Sequence, residues 1–306
     1  MAFTIEKLRE DLSFGAVVTG LGPDDITSEE VRERLRALWY DAGLVIFKGQ
    51  EVTSEFQIDL SEVFAACEVH QVREIRHPEI DKLIRLTSDP QGKDQDLIAV
   101  EGKTGCAWLP WHKDVIFTAG MNHGGLLRAT KLTSTGGETG FIDQIDAYDR
   151  LPDATKARIE GLEIVYKYGP IETSPWAARE KVVYLKKSWM NQSMDERAAR
   201  DWPSVVHPLV FVQPQTGRKI LNLSPRFAQS VLGWDKAESD ALLDDLCNHV
   251  WDSPAYFHQW AYDHMVLWDN WRMLHCVIPG PVDEIREVER TTIQGDYGMG
   301  RVLQDA

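Results

Sequence analysis

The sequence predicts a mainly β core, a sandwich or barrel, braced by helices. Two helical patterns occur early in the chain, and short apolar or alternating runs typical of strands dominate afterwards. Helices followed by many short strands favour this architecture. The 306 residues contain no internal repeat and no linker rich in Ser, Pro or Gly, so we expect a single domain over residues 1–306.

Two helices are predicted near the start of the chain. Residues 27–30 have the Ser/Thr-to-Glu spacing of a capping box, an apolar face follows, and Gly43 can end the helix. Ser54 and Gln57 repeat the capping signal and open a second helix over residues 54–66.

Short strands are predicted from apolar or alternating runs bounded by turn residues. These runs cover residues 44–47, 126–132, 162–168, 205–212, 219–223, 265–268 and 291–293. Residues 213–217 contain Pro and Gly and predict a hairpin turn, whereas residues 239–250 carry leucines at helical spacing. Segment 170–202 combines charges with three Trp, and we interpret it as an insertion over the core, a lid.

Charge and cysteine usage exclude several function classes. Lys and Arg total 33 against 48 Asp and Glu, a net charge of −15, which disfavours binding to nucleic acid or to anionic membranes. The sequence shows no signal peptide and no apolar run of membrane-spanning length. Four cysteines without a CxxC pair indicate reduced thiols, so we expect a cytoplasmic location.

Three residues have the composition of an iron site. His112 and Asp114 are two residues apart, and on a strand both side chains would point to one face. His275 follows an apolar run and a turn, and would supply a second imidazole. Two histidines and one carboxylate on one side of a metal suit Fe(II) and leave coordination positions open.

With these residues in this order, the chain resembles the taurine dioxygenase/aryloxyalkanoate dioxygenase (TauD/TfdA) family over roughly residues 13–296. The segments that carry the resemblance are residues 14–16, the His112/Asp114 pair, 136–139, 207–210, 216–219, 268–270, His275, Arg286, Arg290 and 295–296. The resemblance implies a double-stranded β-helix, or jelly-roll, with helical support, and a homo-oligomer.

The resemblance also implies a cofactor and two co-substrates: Fe(II), 2-oxoglutarate and O2. His112, Asp114 and His275 would be the iron ligands. Arg286 and Thr139 would bind the distal carboxylate of 2-oxoglutarate, since a guanidinium meets a carboxylate through two parallel hydrogen bonds.

Five further residues are candidates for substrate binding. Arg290 and His70 stand where relatives of the taurine enzyme bind the anionic group of the substrate, and Arg73 could add charge. Trp111 and Phe117 flank the ligands and are expected to wall the pocket. The implied reaction is hydroxylation of a C–H bond in a small carboxylate or sulfonate, with C–O or C–S cleavage where the hydroxylated product is unstable.

Two departures from the family pattern keep alternatives open. Trp271-Arg272 stands where the family has Arg directly after Asp-Asn, and resembles the betaine-hydroxylating members. Trp108 replaces a small polar residue and would change the pocket shape. A betaine- or amino-acid-type hydroxylase is therefore one alternative. A metal-binding jelly-roll protein without oxygenase activity is another, although Arg286 and Thr139 argue against it.

Overall fold

The computed structural model describes residues 3–92 and 95–304. Strands dominate this part of the chain, and helices pack against them, which confirms the mainly β prediction. The helices are α1 (Glu29–Ala42), α2 (Ser54–Ser61), α3 (Gln144–Asp149), α4 (Asp153–Ile159), α5 (Trp189–Asp201) and α6 (Lys236–Trp251).

The strands are short, and several coincide with the predicted runs. They are β1 (Thr4–Lys7), β2 (Ala16–Thr19), β3 (Leu44–Lys48), β4 (Leu83–Ser88), β5 (Leu97–Val100), β6 (Lys103–Cys106), β7 (Leu109–His112), β8 (Gly124–Lys131), β9 (Thr139–Asp143), β10 (Glu163–Tyr166), β11 (Val182–Lys186), β12 (Val205–Pro208), β13 (Val210–Val212), β14 (Lys219–Leu221), β15 (Ala228–Val231), β16 (Ala255–His258), β17 (Met265–Asp269), β18 (Met273–Val277), β19 (Arg286–Ile293) and β20 (Arg301–Val302).

Two sheets form the centre of the molecule. The larger has the order β1-β2-β3-β17-β8-β19-β4, and the smaller has the order β16-β9-β18-β7. Leu127, Trp268 and Val288 of the larger sheet share one buried apolar cluster with Phe141 and Met273 of the smaller sheet. The two sheets therefore pack face to face, as in a double-sheet jelly-roll.

The end of α1 confirms one capping prediction, and the start of α2 contradicts another. Gly43 ends α1 in the left-handed conformation (φ 72°), as predicted. Helix α2 is capped by Thr53, whose side chain accepts from the Phe56 N–H, and not by Ser54. The capping role assigned to Gln57 is wrong, because its buried amide donates to main-chain carbonyls of β8 and β19.

Segment 170–202 is packed onto the core. Its strand β11 pairs antiparallel with β5, and helix α5 follows. At the end of α5, Trp202 is buried with its ring centroid 5.3 Å from that of Phe117 and 4.8 Å from that of Tyr168. The predicted hairpin is present, with β13 and β14 joined by a turn in which the Gly217 N–H bonds to the Gln213 carbonyl.

Candidate active site

Two neighbouring strands of the smaller sheet bring His112 and His275 together. Strands β7 and β18 are antiparallel, and their register places His275 directly opposite His112. His112 is the last residue of β7, so Asp114 lies beyond the strand. The spacing predicts instead that both residues lie on one strand. The Asn270 side chain holds Asp114 instead: its Oδ1 accepts from the Asp114 N–H at 2.8 Å, and its Nδ2 donates to the Asp114 carbonyl at 3.1 Å.

The three candidate ligands form a compact cluster. One ligand atom from each residue lies within 4.8 Å of the other two. His112 Nε2 is 3.6 Å from Asp114 Oδ1, and His275 Nε2 is 3.6 Å from Asp114 Oδ2. His112 Nδ1 donates to the Pro110 carbonyl at 2.8 Å, which leaves the Nε2 lone pair facing the cluster.

The charge states of this cluster suit a divalent metal. Burial and the neighbouring His112 lower the pKa of His275 to about 4, so its imidazole is neutral at pH 7. Burial alone would raise the pKa of Asp114, but the guanidinium of Arg290 and the imidazole of His275 hold it well below its usual range. Two imidazoles and an ionised carboxylate on one side of a point are the donor set that fits Fe(II).

A second group of residues prepares a carboxylate site beside the cluster. Arg286 is 93% buried, which lowers its pKa to about 10 and leaves it cationic at pH 7. Its Nε and Nη2 donate to the Gly137 carbonyl at 3.3 and 3.1 Å. Within residues 3–92 and 95–304, no carboxylate forms an ion pair with Arg286. A buried cation without a carboxylate partner favours an anionic ligand.

Thr139 and Gly137 shape the same site. The Thr139 hydroxyl accepts from Trp260 Nε1 at 3.1 Å, which orients it at the start of β9. Gly137 has φ 74°, and a Cβ there would lie 3.0 Å from Arg286 Nε. Glycine is therefore needed both for the backbone conformation and for the approach of the guanidinium.

The cluster opens onto a cavity of about 190 Å³ lined mainly by apolar side chains. A buried cavity of about 150 Å³ accommodates benzene, so this one has room for an aromatic ring with a short substituent. Thr139, Arg286 and Arg290 line it, together with Phe117 and His70.

Two predicted pocket residues do not line this cavity. Trp111 precedes His112 on β7, so its side chain points to the other face of the sheet, where its ring centroid is 6.0 Å from that of Phe257. Arg73 lies in a 3-10 turn with its side chain 65% exposed, and pairs with Glu74 at 3.7 Å. The structure therefore does not place either side chain in the cavity, since strand alternation turns Trp111 away and Arg73 faces solvent.

The other two candidates for anion binding reach the cavity but are not free cations. His70 Nδ1 accepts from the Val72 N–H at 3.1 Å, and burial together with Arg290 lowers the pKa of His70 to about 4. Arg290 binds the Asp114 carboxylate through Nη1, and its guanidinium carbon lies 5.5 Å from the centre of the Trp268 ring.

Arg272 has a structural role. It is fully buried, and its guanidinium bonds both carboxylate oxygens of Asp143, at 2.8 and 2.7 Å. Its Nη1 also donates to the carbonyls of Tyr40 and Asp41 at the end of α1. Arg272 does not line the cavity. The Trp271-Arg272 motif, which resembles betaine-hydroxylating members, is therefore explained by the ion pair of Arg272 with Asp143.

Comparisons with known proteins identify the family of this chain. The family model described as taurine catabolism dioxygenase TauD, TfdA family matches residues 4–292. The chain belongs to this family. The (S)-phenoxypropionate/alpha-ketoglutarate-dioxygenase of Sphingobium herbicidovorans is 32% identical over 302 residues, 96% of each chain. The alpha-ketoglutarate-dependent 2,4-dichlorophenoxyacetate dioxygenase of Cupriavidus pinatubonensis is 27% identical, over 88% of this chain and 90% of that protein.

Solved structures of this family share the fold. The crystal structure of AAD-2 in complex with Mn(II) and N-oxalylglycine matches with a TM-score of 0.70 at 23% identity, covering 98% of this chain and all of that one. The TauD/TfdA chain is thus a 2-oxoglutarate (alpha-ketoglutarate)-dependent dioxygenase of the EC 1.14.11 type, which uses Fe(II), 2-oxoglutarate and O2. No helix among the described residues is long and apolar enough to cross a membrane.

Three further residues contact the site or line the cavity and are not among the candidates from the sequence. Asn270 appears in the sequence only as part of the segment 268–270. Its hydrogen bonds to the Asp114 backbone depend on the folded turn after β17. Trp260 and Arg226 carry no periodic or spacing signal, and they reach the site from loops.

Proposed function

We propose that this enzyme hydroxylates a C–H bond of a small aromatic carboxylate, of the aryloxyalkanoate type. The observation that carries the proposal is the cavity itself. The cluster of His112, Asp114 and His275 opens onto an apolar space bordered by the rings of Phe117 and Phe227. The dioxygenases of Sphingobium and Cupriavidus, whose names specify phenoxypropionate and dichlorophenoxyacetate, support this class of substrate.

In this proposal each residue of the site has a defined task. His112, Asp114 and His275 hold Fe(II), and Arg286 with Thr139 binds the distal carboxylate of 2-oxoglutarate. Fe(II) supplies the oxygen activation that couples decarboxylation of 2-oxoglutarate to hydroxylation of the substrate. Arg290 keeps Asp114 ionised and oriented through their direct bond. The apolar wall excludes water from the reacting carbon.

The overall reaction is balanced by the co-substrates. One oxygen atom of O2 enters succinate, which forms with CO2 from 2-oxoglutarate, and the other becomes the hydroxyl group of the product. When the hydroxylated carbon carries an aryl ether oxygen, the product is a hemiacetal or hemiketal. Its collapse breaks the C–O bond and releases a phenol and a carbonyl compound.

The segment 170–202 completes this cavity, and in the proposal it acts as a lid over the substrate. Tyr184, Met190 and Met194 of this segment line the same cavity as the ligands. Flexible Met side chains adapt to ligands of different shape. A homo-oligomeric assembly and a cytoplasmic location stay predictions from the sequence.

The metal and co-substrate assignments can be tested without the substrate. Anaerobic addition of Fe(II) and 2-oxoglutarate should produce a weak visible charge-transfer band in the wild-type enzyme. His112→Ala should lose this band, whereas His249→Gln should retain it, because His249 lies on helix α6 and bonds the Ala147 carbonyl of α3. A band of unchanged intensity in His112→Ala would contradict the ligand assignment.

The substrate class is tested by a panel assay. Release of succinate and phenol should be highest with 2-phenoxypropionate and other aryloxyalkanoates. A sulfonate or sulfate ester is the second candidate, favoured by a relative in Schizosaccharomyces pombe whose name specifies a sulfonate and which is 25% identical over 95% of this chain. Taurine, alkyl sulfates and betaines complete the panel. Faster coupled turnover of any of these than of every aryloxyalkanoate would overturn the proposed class.

A further inference from the structure

Arg226 lies at the wall of the cavity, beside Phe227 and Tyr168. It occupies the turn before β15 and is 96% buried. Its Nη2 donates to the main-chain carbonyl of Gly169. In the described part of the chain, no carboxylate pairs with this guanidinium. Arg226 therefore resembles Arg286 in being a buried cation that lacks an anionic partner.

The two carboxylates whose charges act on Arg226 are already engaged. Glu172 and Asp195 both contribute to the field at Arg226, but their ion pairs are with Lys187, at 3.2 and 2.8 Å. Burial lowers the pKa of Arg226, which reflects the cost of keeping its charge away from water. Such a cost is offset when an anion binds.

The other two arginines of the cavity have their own partners. Arg290 is bound to the ligand Asp114, and Arg286 is proposed to bind the distal carboxylate of 2-oxoglutarate. A carboxylate on the substrate would have to compete with Asp114 for Arg290. It would meet no such competitor at Arg226.

The surroundings of Arg226 also fit an aromatic acid. The Phe227 ring centre is 4.7 Å from the Arg226 guanidinium carbon and 6.4 Å from the His112 ring centre, so it adjoins both the cation and the metal site. Phe117 and Tyr168 pack beside Phe227, at ring-centre distances of 4.9 and 6.1 Å. These rings offer apolar surface to an aryl group whose carboxylate reaches Arg226.

We propose that Arg226 is the residue that binds the anionic group of the substrate. This inference rests on the proposed function. It gives Arg226 the anion-binding role that the sequence predicts for Arg290. The guanidinium fork would take a carboxylate through two hydrogen bonds, and Arg290 would act on Asp114 as a positioning residue.

The test compares a charged ligand with a neutral analogue of the same shape. Binding of 2-phenoxypropionate and of 2-phenoxypropionamide is measured by calorimetry on enzyme loaded with Mn(II) and N-oxalylglycine. The wild type should prefer the carboxylate. Arg226→Gln should reduce this preference about 10–100-fold, the range for a lost charge-assisted hydrogen bond. Arg179→Gln is the matched control, because Arg179 does not line the cavity and pairs with Asp252 at the surface.

Three results would overturn the inference. These are a wild type without preference for the carboxylate, an intact preference in Arg226→Gln, and equal weakening of both ligands, which would indicate a structural role. If Arg226→Gln does not fold, Arg226→Lys is measured, and an unchanged preference there counts against the bidentate contact. Phenol release by the wild type is recorded separately, so a failure of the proposed function is distinguished from a failure of this inference.

Discussion

The two sides of the cavity are built in different ways. The metal side lies on paired strands, where the register of β7 with β18 sets His275 opposite His112. The facing wall comes from helix α5, strand β11 and the turn that carries Arg226. In the proposed function, the strand side would hold the metal and 2-oxoglutarate, and the facing wall would supply the cation that binds the substrate. We infer that chemistry and specificity are divided between these two sides.

The same contrast appears in the ion pairs that support each side. On the strand side, Arg272 and Asp143 are both completely buried and joined by two hydrogen bonds. On the facing wall, Lys187 and Asp195 have side chains 26% and 18% exposed. Removing one member of a buried pair costs far more than removing one member of a solvated pair.

The largest effect is expected for Arg272→Met. It leaves the Asp143 carboxylate buried without its cation, which should lower the free energy of unfolding by about 3–5 kcal/mol. Urea denaturation measures the change. Arg218→Gln is the control, since Arg218 donates to the same Tyr40 and Asp41 carbonyls from a half-exposed position. If both variants lose the same stability, the burial of Arg272 is not what makes its loss costly.

A smaller effect is expected when the orientation of a ligand is disturbed. Asn270→Ala removes both hydrogen bonds to the backbone of Asp114. Loss of such a supporting group typically weakens metal binding about 10–100-fold. Titration with Mn(II) measures the affinity, and Asn248→Ala on helix α6 is the control. Unchanged affinity in Asn270→Ala would show that the turn after β7 holds Asp114 unaided.

The smallest effect on stability is expected at the facing wall. Lys187→Gln breaks the ion pairs with Glu172 and Asp195, and should lower the free energy of unfolding by no more than about 1 kcal/mol. The difference from wild type should shrink further in 0.5 M salt, because exposed charges are screened. A loss as large as that of Arg272→Met would remove the contrast between the two sides.

The sequence was most informative where the structure depends on local chemistry. Gly43 predicts the end of α1, because glycine adopts the left-handed backbone conformation without a steric penalty. The Pro and Gly of residues 213–217 predicted the hairpin between β13 and β14. His112, Asp114 and His275 were found because their residue types and order identify a metal site, and the structure brings them together.

The sequence was least informative where a role depends on distant partners. Arg272 belongs to a motif that resembles the betaine-hydroxylating members, yet Asp143, far away along the chain, makes it a structural cation. The sequence places Trp111 next to the ligand His112, but it does not show which face of β7 points towards the cavity. Arg226 gave no signal, since its importance comes from the missing carboxylate partner, and only the packed structure reveals that.

The contact between Arg272 and the end of α1 has a consequence for shortened versions of this enzyme. The carbonyls of Tyr40 and Asp41 accept from Arg272 because α1 ends at Gly43, whose missing side chain leaves room for the guanidinium. A version beginning after α1 would retain every residue proposed to bind metal and co-substrate. It would nevertheless leave a buried cation without two of its acceptors. We therefore expect the first helix to be indispensable for expressing a folded catalytic core.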